Sequence, residues 1–162
     1  MRHMNARSPV FCAIDRPDLE GALGLARSLL DVVGGLKVGL EFTTAQGPEG
    51  VRRIVALGRP VFLDAKLHDI PKTVAGAVRA ASRLGVAMLT LHASGGRAML
   101  RAALEANRQV ERPPLLLGVT VLTSMDEADL EATGVAGKAL DQVLRLAELA
   151  LGCGLEGLVC SP

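Results

Sequence analysis

The 162-residue chain contains no Trp and no Tyr, only three Phe and only three Cys. The missing rings leave few surfaces on which nucleic-acid bases stack. A formal net charge of +1 supplies no basic field for a polyanion, so no nucleic-acid partner is expected. The cysteines, Cys12, Cys153 and Cys160, are odd in number, and no pair stands at C-x-x-C spacing. They are expected to be buried, reduced thiols of a cytosolic protein. No apolar run approaches 18 residues, so no membrane span is expected. The N-terminal stretch MRHMNARS lacks the apolar segment of a signal peptide, which points to a cytoplasmic location. No cluster of residues has metal-ligand spacing.

What is present is core-forming material. The composition is 49% hydrophobic and 22% charged, that of a globular chain. The length suits one domain, here residues 10–162 behind a tail of residues 1–9. Short apolar runs begin at Val10, Leu36, Val61, Met88, Leu115 and Gly157, most of them about 26 residues apart. Each is too short for a helix and is bounded by Gly, Pro or polar residues. They read as buried parallel strands. Between them lie helical patterns over 19–33, 48–57, 71–84, 96–110 and 138–151. A short extra helix is predicted over 126–133, where MDEAD places acids near the N-terminus.

Strand and helix in alternation mean an α/β fold with parallel strands. The spacing fits a (β/α)₈ barrel of the TIM type, with an open doubly wound sheet as the other possibility. Polar residues stand at nearly every strand's C-terminal end: Asp15, Lys37, Asp64, Lys66, His92, Thr120 and Thr123. In a barrel those ends converge on one mouth, so the barrel is favoured. Eight units of this size need roughly 200 residues or more. About six of the eight are therefore expected here, and the chain reads as a fragment without strands seven and eight.

The stretch DAKLHDIPKT, residues 64–73, follows the apolar run Val61-Phe62-Leu63. In a strand, Asp64 and Lys66 point to the same side. Lys37, at the end of strand two, is an expected neighbour. Charges inside a barrel are costly alone, so Lys37 should pair with Asp64, and Asp64 with Lys66. A structural ion-pair network and a catalytic array both fit this pattern; the location at the C-terminal strand ends favours catalysis.

FLDAKLHDIPKTV resembles the signature of the orotidine 5′-phosphate decarboxylase family. AIDRPD at 13–18, LKVGLE at 36–41, LTLHASGG at 89–96, GVTVLTSMD at 118–126 and GLVCSP at 157–162 resemble further family segments in the same order. The resemblance implies a cofactor-free lyase of pyrimidine biosynthesis that converts orotidine 5′-monophosphate to UMP. It also implies a homodimer with shared sites. By motif position the family's Lys-Asp-Lys-Asp array falls on Lys37, Asp64, Lys66 and Asp69, with Asp69 serving the partner's site. Lys66 is then the proton donor. The resemblance further assigns substrate contacts to Asp15 (ribose), Ile70 and Thr73 (the partner's substrate), and Thr123 or Ser124 (pyrimidine). Local alternatives stand beside these: a turn or helix cap for Asp15, core packing for Ile70, a first-turn hydroxyl for Thr73, and loop hydroxyls for Thr123 and Ser124. His68 and His92 read as structural, and Lys72 stands where many members have Asn.

The family's phosphate-holding loops, which follow strands seven and eight, have no counterpart here. The chain by itself is therefore expected to bind substrate poorly and turn over slowly. Two alternatives remain open. One is a Mg²⁺-using sugar-phosphate decarboxylase or aldolase of the same superfamily, which shares D-x-K-x-x-D but typically continues with Ala-Gly instead of Ile-Pro-Lys-Thr. The other is a non-catalytic remnant of a barrel.

Overall fold

The computed structural model describes residues 8–161. Residues 1–7 of the expected tail, and Pro162, lie outside the described residues. Six strands appear at the six apolar runs: β1 Phe11–Ala13, β2 Gly35–Val38, β3 Val61–Leu67, β4 Met88–His92, β5 Leu115–Val119 and β6 Gly157–Val159. Their order in the sheet follows the chain, β1-β2-β3-β4-β5-β6. Six α-helices alternate with them: α1 Leu19–Leu29, α2 Leu40–Val55, α3 Pro71–Ser82, α4 Gly96–Arg108, α5 Glu127–Ala132 and α6 Ala139–Cys153. The described residues form two compact units, one of residues 8–65 and 83–88, the other of 66–82 and 89–161.

In the first unit, β1 pairs with β2 and β2 with β3, all parallel. Lys37 stands opposite Ala13 on one side and Phe62 on the other. Strand alternation sends Leu36, Val38, Val61 and Leu63 to one face, and all four are buried. The other face carries Phe11, Lys37, Phe62 and Asp64. There the Phe11 and Phe62 rings meet edge to face, with centroids 6.3 Å apart. Gly35 makes room for this, since a Cβ at that position would collide with the Phe11 ring.

Helix α1 buries Ala22, Leu23 and Ala26, the stripe expected from the sequence. It stops at Leu29, short of the predicted Val33. Asp18 caps it, its carboxylate accepting the Gly21 N–H at 2.6 Å. Helix α2 is longer than predicted. It starts at Leu40 and continues past Gly47, whose φ of 62° interrupts the helix just before Pro48. Gly47-Pro48 reads as a helix start in sequence, and it is one, but a first segment already precedes it.

In the second unit, β5 and β6 are parallel, with Leu117 opposite Gly157 and Val119 opposite Val159. Helix α4 packs against both α3 and α6. Val74, Val78, Met99, Leu100, Ala103, Leu146 and Ala150 are buried. Gly118 on β5 allows close approach: a Cβ there would lie 3.0 Å from the Ala150 Cβ of α6. Asp126 and Asp129 form a reciprocal capping box on α5, as the acid-rich MDEAD suggested. Gly154 ends α6 in the left-handed conformation, with φ 105°. No described helix is long and apolar enough to cross a membrane. The expectation of buried thiols is corrected: Cys12 and Cys153 are half-buried and Cys160 is exposed, because Cys160 lies just beyond the short strand β6.

Candidate active site

The polar residues at the strand ends occupy distinct settings. In the first unit, Lys37 Nζ lies 3.7 Å from Asp64 Oδ2. Strand register explains the pairing. Lys37 is opposite Phe62, and Asp64 is two residues further along β3 on the same face. The Asp64 side chain is 13% exposed and that of Lys37 28%, so water only partly screens the pair. Asp15, just past β1, is exposed. The capping alternative for Asp15 falls away, because Asp18 takes that role.

In the second unit, β3 runs on through Lys66 and Leu67, but its backbone is irregular at Lys66. Lys66 has φ 48°, the only non-glycine residue in the left-handed region among the described residues. Such a conformation costs on the order of 1–3 kcal/mol and collects at functional sites. Its N–H donates to Thr90 Oγ1 of β4 at 2.8 Å. Thr90 is fully buried.

The turn after β3 is held locally. The Asp69 carboxylate accepts the Ile70 N–H at 2.6 Å, and Pro71 opens α3, where its missing N–H is not needed. Ile70 is 66% exposed, which corrects the core-packing alternative for that residue. Thr73 and Lys72 are exposed on the first turn of α3. His68 and His92 face each other, with ring centroids 5.3 Å apart. His68, Asp69, Ile70 and Pro71, with Ser94 and Gly95, line an open depression of about 590 Å³. Thr123 and Ser124 are exposed in the turn before α5. Thr120 differs from them. It is buried, and its hydroxyl donates to the Val159 carbonyl at 3.1 Å, a link that joins β5 to β6.

Another depression, about 240 Å³ and lined in part by Leu104, Asn107, Pro114 and Glu156, lies at the N-terminal end of β5. That is the wrong end of the strand for the chemistry of this fold. Thr90 is the residue that sequence reasoning missed. It lies inside the apolar run MLTL, and only its contact with Lys66 marks it.

Parallel strands alternating with helices, with charged side chains at the strands' C-terminal ends, define an α/β enzyme of the barrel class. The family model for the orotidine 5′-phosphate decarboxylase / HUMPS family matches residues 8–162. An orotidine 5′-phosphate decarboxylase of Paramagnetospirillum magneticum is 50% identical over 160 residues, covering 96% of this chain and 68% of that protein. One from Rhodospirillum rubrum is 53% identical over 161 residues, covering 96% of this chain and 65% of that protein. The crystal structure of orotidine 5′-phosphate decarboxylase from Lactobacillus acidophilus matches with a TM-score of 0.84 at 32% identity, covering 96% of this chain and 72% of that one.

The chain belongs to the orotidine 5′-phosphate decarboxylase / HUMPS family. Its curated relatives in that family are carboxy-lyases, and its fold is that of the (β/α)₈ barrel, of which the described residues hold six strands. It spans about two thirds of the length of the curated relatives it matches.

Proposed function

We propose that the chain carries the decarboxylating machinery for orotidine 5′-monophosphate, working without a cofactor and releasing UMP and CO2. The observation that carries this reading is the intact D-x-K-x-H-D-I-P motif at a strand end, with Asp64 already paired to Lys37. Relatives about 50% identical over nearly the whole chain, named for this reaction, support it.

The chemistry follows from the residue types. The bond between C6 of the pyrimidine and its carboxylate breaks, CO2 leaves, and the electron pair stays on C6. That pair lies in the ring plane, where the ring delocalises it poorly. The Lys66 ammonium stabilises the developing charge and then donates a proton to C6. Asp64, held by Lys37, stands near the departing carboxylate and disfavours the bound ground state. Lys37 orients Asp64 and reaches the substrate's hydroxyls. Asp15 holds the ribose, and Thr123 or Ser124 hydrogen-bonds the pyrimidine.

Asp69, Ile70 and Thr73 complete the site of a second subunit in a cytoplasmic homodimer. All three are exposed, which leaves them available to a second subunit. The test is incubation of the chain with orotidine 5′-monophosphate, with and without chelator, beside a panel of sugar phosphates. Formation of UMP in the presence of chelator is expected. Turnover of a sugar phosphate alone, lost on chelation, would overturn the reading in favour of the Mg²⁺-dependent branch of the superfamily.

A further inference from the structure

We infer that Thr90 is a positioning residue for Lys66: its buried hydroxyl holds the Lys66 backbone in the left-handed conformation that aims the ammonium. The inference deepens the decarboxylase reading and rests on it for the role of Lys66. Three observations carry it. Lys66 alone among the described non-glycine residues has a φ in the left-handed region. Its N–H donates to Thr90 Oγ1 at 2.8 Å. Thr90 is 0% exposed, so water is not available as a substitute acceptor.

At a φ of 48° the Cβ leaves the backbone in a direction that an extended strand does not offer. A side chain that must reach a reacting carbon, rather than pack within the sheet, gains from that change of direction. The conformation is strained for any residue with a Cβ, so something must hold it. An N–H pinned to a fixed hydroxyl does so. Thr is suited to the task in β4, because its β-branched side chain fits a buried strand while still offering an oxygen. Val would fill the same space without the acceptor, and Ser would keep the acceptor with less packing.

The experiment uses the whole chain and two readouts. The first is hydrogen exchange at the Lys66 amide, followed by NMR in the parent, Thr90→Val and Thr90→Ser. Exchange is expected to rise about tenfold in Thr90→Val, the equivalent of losing one hydrogen bond, and to stay near the parent rate in Thr90→Ser. The second readout is decarboxylation. We expect kcat to fall in Thr90→Val with KM nearly unchanged, and Thr90→Ser to restore most of it. Lys66→Gly, in which glycine takes the same φ without strain, should keep the protected amide while losing turnover. It thus serves as a folded control should Thr90→Val prove unstable.

Unchanged amide exchange in Thr90→Val overturns the inference. So does unchanged kcat in Thr90→Val, or a Ser variant as impaired as Val. A parent chain that shows the expected exchange pattern but never decarboxylates overturns the decarboxylase reading and not the backbone contact.

Discussion

Breaking the Lys37–Asp64 pair from each side in turn measures how far the site is built on charge. Lys37→Met keeps the apolar stem and removes the ammonium; Asp64→Asn keeps the shape and removes the carboxylate charge. At 3.7 Å and an effective dielectric of about 20, the gross attraction is roughly 4–5 kcal/mol. Both groups pay desolvation, and Lys37 is the more exposed, so much of that attraction is offset. A double-mutant cycle is therefore expected to return a coupling of about 1–2 kcal/mol, between the values for exposed and fully buried pairs. The assay is urea unfolding of the parent, both single variants and the double variant, with unchanged m-values as the check that one transition is compared throughout. Asp64→Asn alone should cost more than the coupling, because Asp64 also interacts beyond Lys37. A coupling below about 0.5 kcal/mol, within the scatter of additive sites, would refute the idea that Lys37 holds Asp64 in place.

Other outcomes follow from single residues. Asp18→Ala should destabilise by about 1 kcal/mol in thermal or urea unfolding, with Asp18→Ser recovering most of the loss, since the cap accepts the Gly21 N–H. Gly118→Val should destabilise more than Gly118→Ala, because even one added carbon already presses on Ala150. If Asp69 serves a partner subunit, mixing Lys66→Ala with Asp69→Ala chains after joint refolding should restore about a quarter of the parent's sites. No recovery, with both variants folded and associated, would assign Asp69 to its own subunit.

The strands were legible because each is a short apolar run between breakers, and the structure places a strand at every one. The helices were legible where an apolar stripe runs unbroken, as in α1 and α4. The first segment of α2, ahead of Gly47, was not. Its residues, Leu-Glu-Phe-Thr-Thr-Ala-Gln, show little stripe, and the following Gly-Pro looks like a boundary. Phe42 is nonetheless buried, and tertiary packing of that kind overrides weak local preference.

At the candidate site, residue types and their places on strand ends could be read directly, and the Lys37–Asp64 pair followed from register. The geometry at Lys66 could not be read. A single residue at φ 48° inside a strand leaves no mark in the pattern of apolar and polar residues. The Thr90 contact joins residues 24 apart, which no local pattern reveals. Asp15 and Asp18 show the same limit on a smaller scale: either acid suits a cap in sequence, and only the Gly21 contact picks Asp18.

The central claim is that Lys66 supplies the proton that replaces CO2. Its most direct test is UMP formation from orotidine 5′-monophosphate by the parent chain and by Lys66→Ala under single-turnover conditions. The account predicts measurable UMP from the parent and a rate at least about 10³-fold lower from Lys66→Ala, with both chains equally folded. Equal rates in the two would contradict it.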